Sequence, residues 1–249
     1  MVVCARRRGL VDKGKVTRGR GLVNKGKVIR GRGVAGKGKV ERFFAIGDIH
    51  GNLSHLEQLI EKIKPALNCE KDTLVFLGDY IDRGPASKGV VDYIIRLRKD
   101  LPHVVCLKGN HEEMLLDWVT NGENYDLYLY NGGAATIKTY SQEGEFKLPQ
   151  EHLDFFTSLL LYYETEKYIF VHAGIRGGIP LEEQDPHDLI WIRDEFILSP
   201  HDYGKTVVFG HTPLQRVFVA PNKIGIDTGA VYGGTLTCLE LPAQRFYSV

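Results

Sequence analysis

The chain has 249 residues, 43% hydrophobic and 25% charged, with 32 Lys+Arg against 31 Asp+Glu. That length suits one or two domains. No stretch approaches the roughly 18 apolar residues of a membrane span, and no apolar signal-peptide core follows the first residues. The cysteines, Cys4, Cys69, Cys106 and Cys238, are scattered without metal spacing, so they read as reduced thiols of a cytoplasmic protein with no membrane partner.

The near-neutral total hides a division. Residues 1–42 hold 14 basic side chains and two acids, leaving 18 basic and 29 acidic residues for the remainder. Val11 through Leu22 nearly repeats as Val23 through Val34, with a partial third copy from Ala35 to Arg42, a period of 12 residues. Glycine at this density cannot build a core, and period 12 matches none of the common repeat folds. The reading is a basic tail over 1–40 and a folded domain over 41–249. The tail binds an acidic surface or nucleic acid by charge alone, or is a solvated tail, or is translation of short DNA repeats upstream of a true start; the near-identity of the copies favours the last. It lacks interleaved stacking aromatics, which argues against specific nucleic-acid recognition.

Five apolar runs bounded by glycine then read as buried strands, with helices between them. Phe43 to Ile46 precedes Gly47-Asp48-Ile49-His50-Gly51. A helix over Leu53 to Leu67 follows, with Leu56, Leu59, Ile60 and Ile63 on one stripe and Ser54 as its cap. Thr73 to Leu77 precedes Gly78-Asp79-Tyr80-Ile81-Asp82-Arg83-Gly84, and a helix through Val90, Val91, Ile94, Ile95 and Leu97 comes next. Val104 to Leu107 leads to Gly109-Asn110-His111-Glu112, and a third helix begins over Glu112 to Val119. A polar, Tyr- and Gly-rich stretch from Asn121 to Gln150 reads as a cap over the site. Tyr168 to Val171 precedes His172-Ala173-Gly174, and Thr206 to Phe209 precedes Gly210-His211-Thr212. Late strands from Val217 to Leu241 make the second half β-rich. His55, His103, His152, His187 and His201 have no motif around them and read as surface or loop residues.

In open α/β sheets ligand sites collect at the carboxyl ends of strands, and five such ends supply Asp, His, Asp, Asn, His and His. Oxygen and imidazole donors without thiolate suit divalent ions of the Mn, Fe or Zn kind. Asp48 and His50 are two apart, so an extended segment would point both to one side and one ion could take both. Asp79 has two oxygens and could bridge, while Asn110, His172 and His211 would complete a second shell. Two ions roughly 3.5–4 Å apart can hold a bridging water, lower its pKa and clamp a phosphate. Four fixed positions such as Gly-Asp-x-His-Gly recur by chance at roughly one position in 10^5 or fewer.

These motifs resemble those of the calcineurin-like metallophosphoesterases of the phosphoprotein phosphatase superfamily, above all the short bacterial and phage-lambda-type serine/threonine phosphatases. The likeness runs over about residues 41 to 249. It implies an α/β fold of two packed mixed sheets flanked by helices and two divalent metal ions, Mn first, with Fe, Zn, Ni or Co as alternatives. Asp48, His50 and Asp79 resemble the ligands of one ion; Asp79, Asn110, His172 and His211 resemble those of the other. His111 resembles the general acid, with Asp82 orienting it. Arg83 and Arg193, with Asn110, resemble the phosphate-binding groups. Phosphate favours planar bidentate donors, which arginine supplies, and a leaving alkoxide needs an acid titrating near neutrality. The implied substrate is a phosphorylated protein or a small phosphoester. A symmetric bis(5'-nucleosyl)-tetraphosphate hydrolase is the nearest rival enzyme, and a catalytically inactive phospho-ligand binding module is the rival of another class.

Overall fold

The computed structural model describes residues 29–30 and 41–249, so the reading of the basic repeats lies outside the described residues except at positions 29–30. In chain order the elements are β1 (Ile29–Arg30), β2 (Phe43–Ile46), α1 (Leu53–Ile63), β3 (Thr73–Phe76), α2 (Ser87–Asp100), β4 (Val104–Cys106) and α3 (Asn110–Leu116). Then come α4 (Tyr125–Tyr130), α5 (Gly133–Tyr140), the short hairpin β5 (Ser141–Gln142) and β6 (Glu145–Phe146), α6 (Gln150–Thr157), β7 (Tyr162–Glu164) and β8 (Tyr168–Val171). The chain finishes with α7 (Pro186–Trp191), α8 (Asp194–Ile197), β9 (Thr206–Phe209), β10 (Phe218–Ala220), β11 (Lys223–Gly225), β12 (Thr237–Leu241) and β13 (Arg245–Ser248).

Two mixed sheets carry the fold. One runs β13-β12-β2-β3-β4 and the other β1-β7-β8-β9-β11-β10. Successive side chains of a strand face opposite ways, and here both faces are covered. Phe43 and Ala45 of β2 enter the core between the sheets with Val75, Phe170, Val208 and Leu239. Their neighbours Phe44 and Ile46 point the other way, into a core shared with Leu56 and Ile60 of α1 and Val91 and Ile94 of α2. Ile169, Val171, Val207 and Phe209 use the outer face of the second sheet against Leu189 and Ile190 of α7 and Phe196 of α8. Double burial is why these strands read as unbroken apolar runs rather than alternating ones. At about 1.5–3 kcal/mol for each large apolar side chain fully buried, these three clusters hold the layers together.

The five strands expected from sequence are all present, and the first helix starts at Leu53 as expected, whereas the third starts at Asn110, ahead of the expected Glu112. The first helix ends at Ile63, four residues short of Leu67, and Asn52 rather than Ser54 occupies its N-cap; Ser54 lies inside the first turn. The third continues from α3 into a wider π-helical turn over Asp117–Asn121. Two histidines expected at the surface or in loops are placed otherwise. His55 lies half-buried in α1, and His152 is buried in α6, where Tyr140 and Asp92 take its two ring nitrogens at 2.8 and 2.9 Å. Among the described residues no helix is long and apolar enough to cross a membrane.

Register positions the site. Ile46, Phe76 and Cys106 are paired across parallel β2, β3 and β4, so the three motif loops leave the sheet at one level. β8, β9 and β11 are likewise mutually parallel, and their carboxyl ends carry His172, His211 and Asp227.

Candidate metal centre

The loop after β2 is tied to the loop after β3 through backbone. The amides of Ile49 and His50 donate to the Asp79 carbonyl at 3.0 and 2.9 Å, and Gly51 donates to Tyr80 at 2.8 Å. Glu112, wholly buried in the first turn of α3, then accepts the amides of Asp79, Tyr80 and Gly109 at 2.9, 2.9 and 3.0 Å. One carboxylate therefore fixes the Asp79 turn and caps its own helix. Two glycines are required by the crowding this produces: a Cβ at Gly109 would collide with the Asp79 carboxylate, and one at Gly210 with that of Asp48.

Two clusters of donor atoms converge, each with atoms within 4.8 Å of one another: His50, Asp79 and His111, and Asp79, His172 and His211. Asp79 belongs to both. Its Oδ2 lies 3.5 Å from His50 Nε2, and its Oδ1 lies 3.5 Å from His172 Nε2. The Asn110 oxygen stands 3.1 Å from both His172 Nε2 and His211 Nδ1. Asp48 is buried beside this group but outside both clusters, with its carboxylate accepting the His211 amide at 3.0 and 3.2 Å.

The expectation that Asp48 and His50 share one side of an extended segment is corrected. β2 ends at Ile46, and His50 has φ 46°, because its amide is drawn to Asp79. This is part of a wider pattern: His50, Asp79, Asp82, Arg83 and His211 all have φ between 46° and 73°, a left-handed conformation that non-glycine residues seldom adopt and that clusters at functional sites.

The protons of three imidazoles are spoken for. His50 Nδ1 donates to the Ile81 carbonyl at 2.9 Å, His172 Nδ1 to Leu77 at 2.9 Å, and His211 Nε2 to Trp191 at 3.2 Å. Each ring therefore turns its other nitrogen, as a lone pair, toward the shared space. With the Asn110 oxygen facing two of them, acceptors meet acceptors at hydrogen-bond distance. A cation resolves such an arrangement, and backbone carbonyls holding the far nitrogen are the usual support for metal-bound histidine. Arg83 Nη1 donates to His50 Nε2 at 2.6 Å, a positive group on the lone pair that a metal ion would take.

Charge tells the same story. Burial draws His50 down to about 3, with Asp79 only partly restoring it. Burial and the neighbouring His172 draw His211 down to about 2, and burial lowers His172 too. Asp48 is pushed well up by burial, Asp227 and Asp79, and Glu112 is pushed up to about 8 by burial and Asp79. Neutral imidazoles and crowded carboxylates are a site short of positive charge, which divalent ions with nitrogen and oxygen ligands supply. The residues present thus fit such ions.

His111 differs from the other three rings. It is wholly buried, its Nδ1 donates to Asp82 Oδ2 at 2.7 Å, and its Nε2, 3.9 Å from Asp79 Oδ2, has no hydrogen-bond partner among the described residues. Burial opposes its charge, but Asp79 and Asp82 outweigh burial and raise it above an ordinary histidine. Arg83 is half-buried, with its guanidinium 5.5 Å from the Tyr232 ring centre. Arg193 is exposed at the start of α8, and its charge reaches His172, His211 and Asp227. All ten residues singled out in the sequence therefore lie in or beside one site.

A family model for calcineurin-like phosphoesterases matches residues 41–240. The chain belongs to the calcineurin-like phosphoesterases. It is 31% identical over 209 residues to a serine/threonine-protein phosphatase 1 of Salmonella typhimurium, covering 80% of this chain and 91% of that protein. It is 27% identical over 236 residues to an asymmetrical bis(5'-nucleosyl)-tetraphosphatase of Oceanobacillus iheyensis, covering 82% and 90%. A solved structure presented as a candidate diadenosine tetraphosphatase superposes with a TM-score of 0.66 at 25% identity, covering 84% of this chain and 93% of that one. The cold-active protein-tyrosine phosphatase of a Shewanella species shares the fold, with a TM-score of 0.56 at 18% identity and coverage of 84% and 80%. As a calcineurin-like phosphoesterase the chain is a phosphoester hydrolase of a family that uses divalent metal ions.

Three residues of this candidate site were not singled out in the sequence. Asp227 is buried, accepts the Gly229 amide at 3.0 Å, and is pushed up to about 6 by burial, with Asp79 adding to it. Its signal was present: Gly225-Ile226-Asp227-Thr228-Gly229 repeats the pattern of a strand ended by an acid and glycine. Tyr128 and Thr136, from the stretch read as a cap, donate to Asp82 Oδ1 at 2.8 and 2.6 Å. No local pattern marks them.

Proposed function

We propose that the chain is a metal-dependent phosphomonoester hydrolase acting on phosphoserine or phosphothreonine in proteins. The observation that carries this is the Asp82–His111 pair: a buried imidazole anchored on one side at 2.7 Å and without a partner among the described residues on the other, beside two converging donor clusters. Asp48, His50 and Asp79 would hold one ion, and Asp79, Asn110, His172 and His211 the other. When bound, such ions supply Lewis acidity at the phosphoryl group and acidify water at neutral pH. Arg83 and Arg193 bind and orient the phosphate oxygens, which planar guanidinium suits. His111, charged and held by Asp82, gives its proton from Nε2 to the leaving alkoxide. Asp82 keeps the other nitrogen protonated and the ring fixed.

The similarity to an asymmetrical tetraphosphatase supports a second reading, hydrolysis of a dinucleoside tetraphosphate. The short segment between Glu112 and His172 favours the protein substrate, because a dinucleotide needs more wall to seat two bases. Retention of His111 and both arginines argues against an inactive binding module. Incubating Mn-loaded protein with a phosphoserine peptide and with diadenosine tetraphosphate separates these readings. The expected result is inorganic phosphate from the peptide at the higher kcat/KM. Two ADP from the dinucleotide would mean symmetric cleavage, ATP plus AMP asymmetric cleavage, and tight peptide binding without turnover a binding module.

A further inference from the structure

The segment between α3 and α6 bonds directly to Asp82 and Arg83. Asp82 has one carboxylate oxygen on His111. Its other oxygen receives the Tyr128 hydroxyl of α4 at 2.8 Å and the Thr136 hydroxyl of α5 at 2.6 Å. The Asp82 amide donates back to Thr136 Oγ1 at 2.9 Å and to Ser87 Oγ at 3.0 Å. Arg83, the next residue, donates its amide to the Gly132 carbonyl between α4 and α5 at 3.2 Å. Both Asp82 and Arg83 are left-handed, at φ 73° and 66°, so this segment holds two adjacent residues in a conformation that non-glycine residues seldom adopt.

The two hydroxyls are themselves fixed. Tyr128 is wholly buried, stacks on Trp118 at 5.7 Å, and lies so close to Gly133 that a Cβ there would come within 2.6 Å of the ring. Thr136 is wholly buried, and α5 is tied to α2 by Thr139, whose hydroxyl accepts the Lys88 amide at 3.3 Å. A carboxylate with one oxygen doubly occupied cannot rotate, so it presents the other to His111 in a single direction.

The geometry points to Tyr128 and Thr136 as positioning residues for the proton-donating step, acting through Asp82 on His111. This rests on the reading of His111 as the acid. Their role is to limit where the His111 Nε2 proton can be delivered. It therefore matters only for leaving groups that need the proton.

The test compares Tyr128→Phe, Thr136→Val and Thr136→Ser, in the wild-type chain and in His111→Asn, on a phosphoserine peptide and on p-nitrophenyl phosphate with Mn. Tyr128→Phe and Thr136→Val are each expected to lower kcat on the peptide about tenfold, a part of the 10^2–10^4 that a positioned acid is worth. KM and Mn content should stay the same, and the aryl substrate should change by less than about threefold, because its leaving group needs little protonation. Thr136→Ser, which keeps the hydroxyl, should recover most of the loss. In His111→Asn neither hydroxyl deletion should cost more than about twofold, the mark of residues acting through one group. Equal losses on both substrates, losses that persist in His111→Asn, or no loss at all would overturn the proposal. If His111→Asn alone is selective for the peptide and the hydroxyl variants are not, only the positioning role falls. If His111→Asn itself hits both substrates equally, the acid assignment falls and the positioning role with it.

Discussion

Replacing Asp82 with Asn changes one atom and removes one charge from a wholly buried position. The Asn oxygen can still accept from Tyr128 and Thr136, which leaves its amide facing His111 Nδ1, where the carboxylate now accepts at 2.7 Å. A proton on Nδ1 would then meet a donor, so the neutral ring is forced to carry its proton on Nε2. A hydrogen bond to a charged group is worth about 1.5–3 kcal/mol. Its loss removes that support from the charged ring and so lowers the His111 pKa. The sign follows from the role. His111 must be protonated to act, and Asp79 and Asp82 now hold it above an ordinary histidine. Activity should therefore persist through neutrality and fall on the alkaline side as the proton is lost. The stability this raised pKa contributes is fully present below about 6.5, the unfolded value, and fades as pH rises through the folded one. In Asp82→Asn the alkaline limb of kcat/KM on a phosphoserine peptide should move to lower pH. A pH profile at saturating Mn, with metal content measured at each end, reads this directly. A limb that stays in place or moves upward would refute the pairing as the source of the acid.

Three further outcomes are expected. Chelation should abolish activity and Mn should restore it better than Mg, since Mg demands near-octahedral oxygen ligation and three imidazoles suit it poorly; turnover in excess chelator would contradict this. His172→Ala should lower bound Mn per chain, measured by elemental analysis, and cut kcat/KM by about 10^2-fold or more, as losing a metal-fixing group does; full metal content would remove His172 from the ligand set. Deleting residues 1–40 should leave kcat/KM unchanged and shift the melting temperature by no more than a few degrees, because only the two-residue β1, paired with Tyr163 and Glu164 of β7, is lost from the described fold. A larger drop would show that the tail packs on the domain, and salt-sensitive retention on a polyanion by the full chain alone would assign its charge a use.

Much of this was readable from the chain because it is local or periodic. Phe43 to Ile46 is apolar at every position since each residue has a core on its own side of the sheet. Glycines such as Gly109 and Gly210 mark the places where a carboxylate lies against the backbone. The rest depends on contacts between distant positions. Thr136 reaches Asp82 across 54 residues and Tyr128 across 46, and α4 and α5 are too short for their apolar spacing to announce a buried face. His50 was misjudged for a related reason: its conformation is set by the Asp79 carbonyl, not by its own neighbours in sequence. His152 looked like a surface residue because Tyr140 and Asp92, which make its burial tolerable, come from other helices.

Five chemically active side chains on left-handed backbone have a bearing on how such a protein can change. At about 1–2 kcal/mol for each non-glycine residue held there, His50, Asp79, Asp82, Arg83 and His211 together store an amount comparable with the net stability of an ordinary domain, about 5–15 kcal/mol. Glycine at any of the five would relieve the backbone and delete the side chain at once. A screen that rewards heat tolerance alone would therefore drift toward a sturdier protein that no longer turns over its substrate, and a thermostable enzyme of this lineage has to find its gains elsewhere, in loops, caps and surface charge.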